Sequence, residues 1–383
     1  MDAKTIVDAL DQRYPNLWDK IDEIVTGEAY FEAFKKISDN YSPTLTVSSV
    51  QGPLIQSMME QKIGQGARVK VDASLRRSGT VGITIGDEPA PVWLTGHADI
   101  CSYLTGTYDG TSYSLTPFCV TRAAPGRRPA VAVGSPTQGL PLKRLAEGEM
   151  VTLENGDTVF ETADGSLPRW TRIVYDISAG WNRENDELYG YIDNQGTCAA
   201  LVLAAQVLSH YPVNVVLLLN DEEEGPVDKG NQGFSRAMLR LLNRTPLDLL
   251  PEAVFNSDVN QQEILIDAGE PSQFGDGALF TGLSSGTRGA VVPPQLVDFA
   301  RDSMGELAAH GIQLAENKSY VSRSDDISAM QFTQNVMLFG FPGTSSHFDQ
   351  TPTMRCSDLV HLTKTLVVYA LIAQDADWRE AYL

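Results

Sequence analysis

"NVVLLLNDEEEGPV", residues 214–227, is the stretch on which the reading of this chain turns. Residues 215–219 form a short, wholly apolar run of the kind found in a buried strand. The run ends at Asn220-Asp221, three glutamates follow at once (Glu222, Glu223 and Glu224), and Gly225-Pro226 closes the stretch. Three adjacent carboxylates repel one another. They are either a solvated turn or a place where one carboxylate moves a proton and another holds a metal.

Outward from this strand, helical and extended patterns alternate. "GTCAALVLAAQVLSHY" (196–211) reads as a helix before it, and "QGFSRAMLRLLNR" (232–244) as a helix after it. "AVFNSDV" (253–259) and "EILIDAG" (263–269) read as strands, "VPPQLVDFARDSMGELAAHG" (292–311) as a helix, "NVMLFGFPG" (335–343) as a strand and "SDLVHLTKTLVVYALIAQD" (357–375) as a long closing helix. This rhythm predicts an α/β fold, a mostly parallel sheet flanked by helices on both faces. Nearer the N-terminus, residues 3–38 read as helix, "TLTVSSV" (44–50) as a strand and "PLIQSMMEQKIGQG" (53–66) as a helix stopped by glycine. Three strands follow in "ARVKVDASL", "GTVGITIG" and "PVWLTGHADI". Residues 102–182 differ: short β-like runs are broken by Pro, Gly, Asp and Asn, with no amphipathic helix. We read them as a small β-rich domain inserted into an α/β domain built from 1–101 and 183–383.

With 383 residues, 42% of them hydrophobic, the chain can bury more than one core. Its 49 acidic residues against 29 Lys and Arg give a net charge of −20, which repels a phosphate backbone and argues against nucleic-acid partners. Four scattered cysteines without a CxxC pair read as reduced thiols in a cytoplasmic protein. "MDAKTIVDALDQRY" lacks the basic and apolar regions of a signal peptide, and no apolar run nears the ~20 residues that span a bilayer, so no membrane role is expected.

Ligands in open α/β sheets collect at the carboxyl ends of strands, so the metal-capable residues just past each strand matter most. In "LTGHADI", His97 and Asp99 point to one side of an extended backbone, and a carboxylate commonly fixes the outer nitrogen of a metal-bound His. Asp193 in "GYIDNQGTCAA" precedes a helix that it or Asn194 could simply cap. Asp258 follows the strand "AVF", and His347 sits in the loop "GFPGTSSHFDQTP". Each is ordinary alone. Together, two imidazoles and several carboxylates at the ends of different strands match the N/O donor set that zinc prefers.

The order His-x-Asp, Asp-Asn, Glu-Glu-x-Gly, Asp-Val, His resembles the cocatalytic di-zinc aminopeptidases, and within them the tetrahedral (TET) or glutamyl aminopeptidase family. The resemblance runs from about residue 90 to the end and includes a β-rich insert between the His-x-Asp and the bridging Asp, a domain associated with assembly and the substrate entrance. It implies two divalent ions per chain, zinc foremost with cobalt or manganese as alternatives. It implies His97, Asp193, Glu223, Asp258 and His347 as metal ligands with Asp193 bridging, Glu222 as general base, Asp99 as the residue orienting His97, and Glu224 as a solvated turn residue. A turn shifted by one would make Glu223 and Glu224 the working pair. The implied function is removal of N-terminal residues from peptides by a homo-oligomeric enzyme. The rivals are an N-acyl deacylase on the same site and a non-catalytic scaffold.

The chain departs from the family pattern at Ile100, where Glu is usual, in "SRSDDIS" (322–328), and in "HFDQTP" after the final His. Arg323, Ser324 and Asp325 in the second of these are candidates for substrate binding, although Asp325 and Asp326 can serve as helix caps. Cys101 continues the alternation of 97 and 99 and so turns toward the site, where thiolate is a good zinc ligand; this is the lesser reading. Cys198 reads as core, His210, His310 and His361 as surface or cap residues, and "GLSSGTRGA" as a loop lining the cleft.

Overall fold

The computed structural model describes residues 2–64, 66–119, 123–137, 140–226, 234–265, 273–317, 319–348 and 350–383. Three helices open the chain: α1 (Ala3–Arg13), α2 (Leu17–Ile24) and α3 (Gly27–Ser38). The single helix expected over 3–38 is interrupted before Pro15, which disfavours helical backbone in its predecessor, and at Thr26, whose hydroxyl accepts the Ala29 amide and caps α3. The strand expected over 44–50 is instead the start of α4 (Val47–Glu60). Val47, Val50 and Ile55 lie on its buried face, so packing overrides the strand preference of the β-branched residues.

Strands β1 (Val69–Asp72), β2 (Val81–Ile85) and β3 (Val92–His97) come next. Six strands then close into a barrel: β4 (Tyr103–Tyr108), β5 (Ser112–Pro117), β6 (Gly126–Val133), β7 (Arg144–Thr152), β8 (Thr158–Glu161) and β9 (Arg172–Tyr175), all antiparallel, in the order β4-β5-β8-β7-β6-β9. The hairpin β10 (Gly180–Asn182) and β11 (Glu187–Tyr189) returns the chain to the large sheet, and α5 (Ile192–Leu208), β12 (Val215–Asn220), α6 (Arg236–Arg244) and β13 (Ala253–Leu265) follow. The two strands read at 253–259 and 263–269 are thus one as far as Leu265, and 266–269 lies outside the described residues. The chain ends with β14 (Ala278–Thr281), α7 (Pro294–Ala309), β15 (Leu314–Glu316), β16 (Ser319–Val321), α8 (Asp326–Ala329), β17 (Val336–Thr344), β18 (Thr353–Arg355), α9 (Cys356–Ile372) and α10 (Ala376–Tyr382).

Among the described residues, twelve strands form one sheet whose main path runs β1-β2-β12-β3-β13-β17-β18-β11-β10. Its centre, β12-β3-β13-β17, is parallel, while the strands outside it pair mostly antiparallel, so the sheet is mixed with a parallel core. Every residue of β3 and β12 is buried, as the unbroken apolar run at 215–219 requires. Helix α5 is buried along its whole length and packs against α3 and α9. No single helix among the described residues is long and apolar enough to cross a membrane.

Candidate metal centre

The parallel strands end on one edge, and their register aligns the acidic and imidazole side chains. His97, the last residue of β3, pairs with Asn220 at the end of β12. Asp258 on β13 lies opposite Gly340 on β17, which leads into the loop holding His347. Asp193 enters from α5, whose first turn is not regular: Asp193 and Asn194 leave helical backbone and the peptide between them is cis. Asn194 donates to the Ser257 carbonyl (2.8 Å) and Gln195 to the Ala98 carbonyl (2.9 Å), which ties this turn to β13 and β3. The carboxylate of Asp193 is then not a cap. Its Oδ1 lies 3.1 Å from His97 Nε2, and its Oδ2 lies 3.5 Å from His347 Nε2.

The glutamate turn sorts its three carboxylates. Glu222 has left-handed backbone, φ 65°, which is uncommon for a residue with a Cβ. Its side chain turns away from the cleft to an ion pair with Arg240 of α6. Glu223 and Glu224 face inward: Glu223 Oε2 is 3.8 Å from His97 Nε2, and Glu224 Oε2 is 3.9 Å from His347 Nε2. Glu222, expected as general base, thus lies apart from the inward pair Glu223 and Glu224, the arrangement of the turn shifted by one. Glu222 is outside the cluster, and Glu224 is buried at 5% exposure rather than solvated.

Asp99 organises this turn. Its Oδ1 accepts the Glu223 amide (3.2 Å), and its Oδ2 accepts the Glu224 amide (3.1 Å) and the Thr44 hydroxyl (2.7 Å). The same carboxylate lies 3.6 Å from His97 Nδ1, which is also 3.2 Å from the Asp99 carbonyl oxygen. Asp221 anchors the other side by accepting the amides of Leu45 (2.7 Å) and Val47 (3.2 Å). The segment before α4 is thus part of the site. A reading of that segment as a strand misses it, and only the Ser-Pro-Thr composition of 42–44 hinted at an irregular backbone.

Two sets of donor atoms are close enough to share an ion: His97, Asp193 and Asp258, and Cys101, Glu224 and His347, each set mutually within 4.8 Å. The electrostatics call for cations. Burial, reinforced by Glu224, Asp258 and Asp193, holds the Glu223 carboxyl well above the ordinary range despite His97. Burial and Asp193 push Asp258 up to about 8, and burial pushes Glu224 up to about 6. Burial opposes a charge on His97, but Glu223 and the hydrogen bonds of Asp193 and Asp99 outweigh it and raise the imidazole well above its usual value. Glu224 Oε1 is buried without a hydrogen-bond partner. A buried orphan acceptor in a cluster of like charges fits divalent ions, which reverse the local penalty on ionised carboxylates.

The cleft above these residues has a cavity volume of about 250 Å³ and is lined by Phe234, Gln261, Arg288, Tyr320, Ser322 and Arg323 as well as by the acidic groups and His347. Arg323 lines the cleft and packs over the Phe234 ring. Ser324 and Asp325 do not line it. Both are completely buried, and the Asp325 carboxylate accepts from Thr95 (3.0 Å), Asn220 (2.7 Å) and Ser235, a structural network beneath the sheet edge. The loop 282–290 lines the cleft through Arg288. His310 stacks on Trp18, and His361 accepts the Gln313 amide; both stand apart from the cluster. Cys198 is core, its thiol on the His97 carbonyl.

No protein-family model matches the sequence, and no curated protein matches it. Solved structures do. A TET aminopeptidase from the marine sediment archaeon Thaumarchaeota archaeon SCGC AB-539-E09 aligns at 13% identity with a TM-score of 0.72, over 93% of this chain and 99% of its own. The aminopeptidase APDkam598 from the archaeon Desulfurococcus kamchatkensis aligns at 15% identity and TM-score 0.69, over 93% and 98%. The Pyrococcus horikoshii TET1 peptidase, described as assembling into a tetrahedron or a large octahedral shell, aligns at 15% and 0.64, over 89% and 99%. The fold of this chain, parallel-centred sheet and inserted barrel together, is that of the TET aminopeptidases.

Proposed function

We propose that the chain is a metal-dependent aminopeptidase that removes N-terminal residues from peptides. One observation carries the reading: a single carboxylate, Asp193, offers one oxygen to each of two imidazoles, with Glu223 beside it facing the cleft. His97, Asp193 and Asp258 would hold one divalent ion, and Asp193, Glu224 and His347 a second. Zinc suits the donors best, with cobalt or manganese as alternatives. Such ions, when bound, polarise the scissile carbonyl and lower the pKa of water.

The chain's own residues do the rest. Glu223 takes the proton of the attacking water and returns it to the leaving amine, a task suited to a carboxyl whose proton affinity is raised by burial. Asp99 acts through others, holding His97 and both glutamate amides in place. The acidic floor receives the free amino group of the substrate, and Arg288 and Arg323 on the wall can receive a substrate carboxylate. Self-association is part of the proposal. The barrel exposes Leu140, Leu145, Leu153 and Trp170, apolar surface that a partner copy would cover.

The test combines metal analysis with a panel of free and N-acetylated peptides. Two ions per chain and cleavage of the free set are expected. Cleavage confined to the acetylated set would replace this reading with a deacylase. Glu223→Gln should lower kcat by ~10²–10⁴-fold, the usual worth of a general base, with metal content unchanged, whereas Glu222→Gln should stay close to wild type. Full activity in Glu223→Gln would overturn the assignment.

A further inference from the structure

The two donor sets differ in one atom type: the set around His347 contains sulfur. Cys101 Sγ lies 3.7 Å from His347 Nδ1, while the other ring nitrogen, Nε2, faces Asp193 and Glu224; Cys101, Glu224 and His347 together form a group of donors within 4.8 Å of one another. Cys101 is 5% exposed, and Glu224, also 5% exposed, brings an oxygen with no hydrogen-bond partner to the same place. The thiol is held there by the barrel. Tyr103 pairs with Pro117 in the β4–β5 ladder, and the Phe118 amide donates to the Ser102 carbonyl at 2.9 Å. Continuing that register by two residues sets Cys101 opposite Cys119, and the two thiols are within hydrogen-bonding reach. Phe118 itself abuts Gly225, directly after Glu224. The barrel rim therefore sets both the sulfur and the end of the glutamate turn.

We propose that Cys101 is a thiolate ligand of the ion held by Glu224 and His347, so that one half of the centre is N/O and the other N/O/S. The inference rests on the di-metal reading above. On binding, the S–H bond breaks, the proton leaves to solvent and a sulfur lone pair is donated to the ion, with no change of oxidation state. A coordinated thiol is deprotonated outright next to a dication. Thiolate selects softer ions, so the two positions should discriminate: zinc or cadmium is favoured at the Cys101 half, while the His97 half also accepts manganese.

Cobalt(II) reports the two questions separately. Metal-free full-length protein titrated with cobalt should develop visible ligand-field bands as the ions bind, together with a near-ultraviolet sulfur-to-cobalt charge-transfer band. Cys101→Ser should abolish the near-ultraviolet band and keep visible bands, while Cys119→Ser keeps both. Visible bands to two equivalents without a charge-transfer band in wild type would overturn the thiolate ligand and leave the di-metal reading standing. A charge-transfer band that survives Cys101→Ser and vanishes in Cys119→Ser would also overturn it. No cobalt bound at all would overturn both.

Discussion

The two halves of the proposed metal centre are built differently. His97 and Asp258 stand on neighbouring parallel strands, where His97 is paired with Asn220 of β12 and Asp258 with Gly340 of β17. Glu224 and His347 stand on loops and depend on distant supports: Glu224 on the Asp99 carboxylate, and His347 on its neighbour Phe348, which stacks on Tyr175 of the barrel at 4.2 Å and meets Tyr191 edge-on at 5.0 Å. His97 is 1% exposed, whereas the His347 side chain is 14% exposed. A strand-held ligand is preorganised by the fold itself, while a loop-held one is only as rigid as its packing.

Asp193 is the carboxylate the proposed halves share, so Asp193→Ala should remove the distinction altogether. Metal content should fall from two ions to none that survive dialysis, and activity should drop to background; retention of either ion would show that the halves are independent. Phe348→Ala should separate them. Removal of a buried phenylalanine costs ~3 kcal/mol or more, and here the loss should fall on the His347 half. Calorimetric titration should show one weakened site and one unchanged, and equal weakening of both would contradict the loop-versus-strand account. Asp99→Asn should weaken both halves more mildly, by ~10–100-fold in metal affinity, as expected for a residue that orients ligands.

The smallest effect is on pH dependence. Asp258, near 8, and Glu224, near 6, have folded-state values above the unfolded carboxylate range, so the metal-free folded state binds more protons than the unfolded chain. Stability linked to these groups is present at low pH and lost as pH rises through those values. The Tm of metal-free protein should decline between pH 5 and 8, and zinc should reverse the decline. A metal-free Tm that rises over this window would contradict the buried-carboxylate description.

The same division governs what could be read from the sequence. The strand-borne residues were legible because period-two alternation and parallel register leave little freedom: an apolar run followed by His-x-Asp or Asn-x-Asp puts those side chains at the sheet edge. The roles within "DEEEG" were not. They hang on one left-handed residue, Glu222, and on Arg240 from α6, whose approach no local pattern announces. Ser324 and Asp325 share the stretch 322–328 with the cleft-lining Arg323, but the turn into α8 buries both, and the Asp325 carboxylate is held by Thr95, Asn220 and Ser235. Thr44 and Leu45 went unnoticed because their contribution is a hydroxyl and a backbone amide offered across more than fifty residues of sequence to Asp99 and Asp221.

On the proposed function, that last contact makes the segment before α4 part of the catalytic apparatus. Thr44, Leu45 and Val47 hold the two aspartates, and the aspartates hold the glutamate turn. Anything that pulls on α1 to α3, such as a fused domain, a deletion of the first forty residues or a neighbouring subunit gripping this surface, would be felt as a change in the aim of Glu223. The segment before α4 is then a lever on the proposed chemistry.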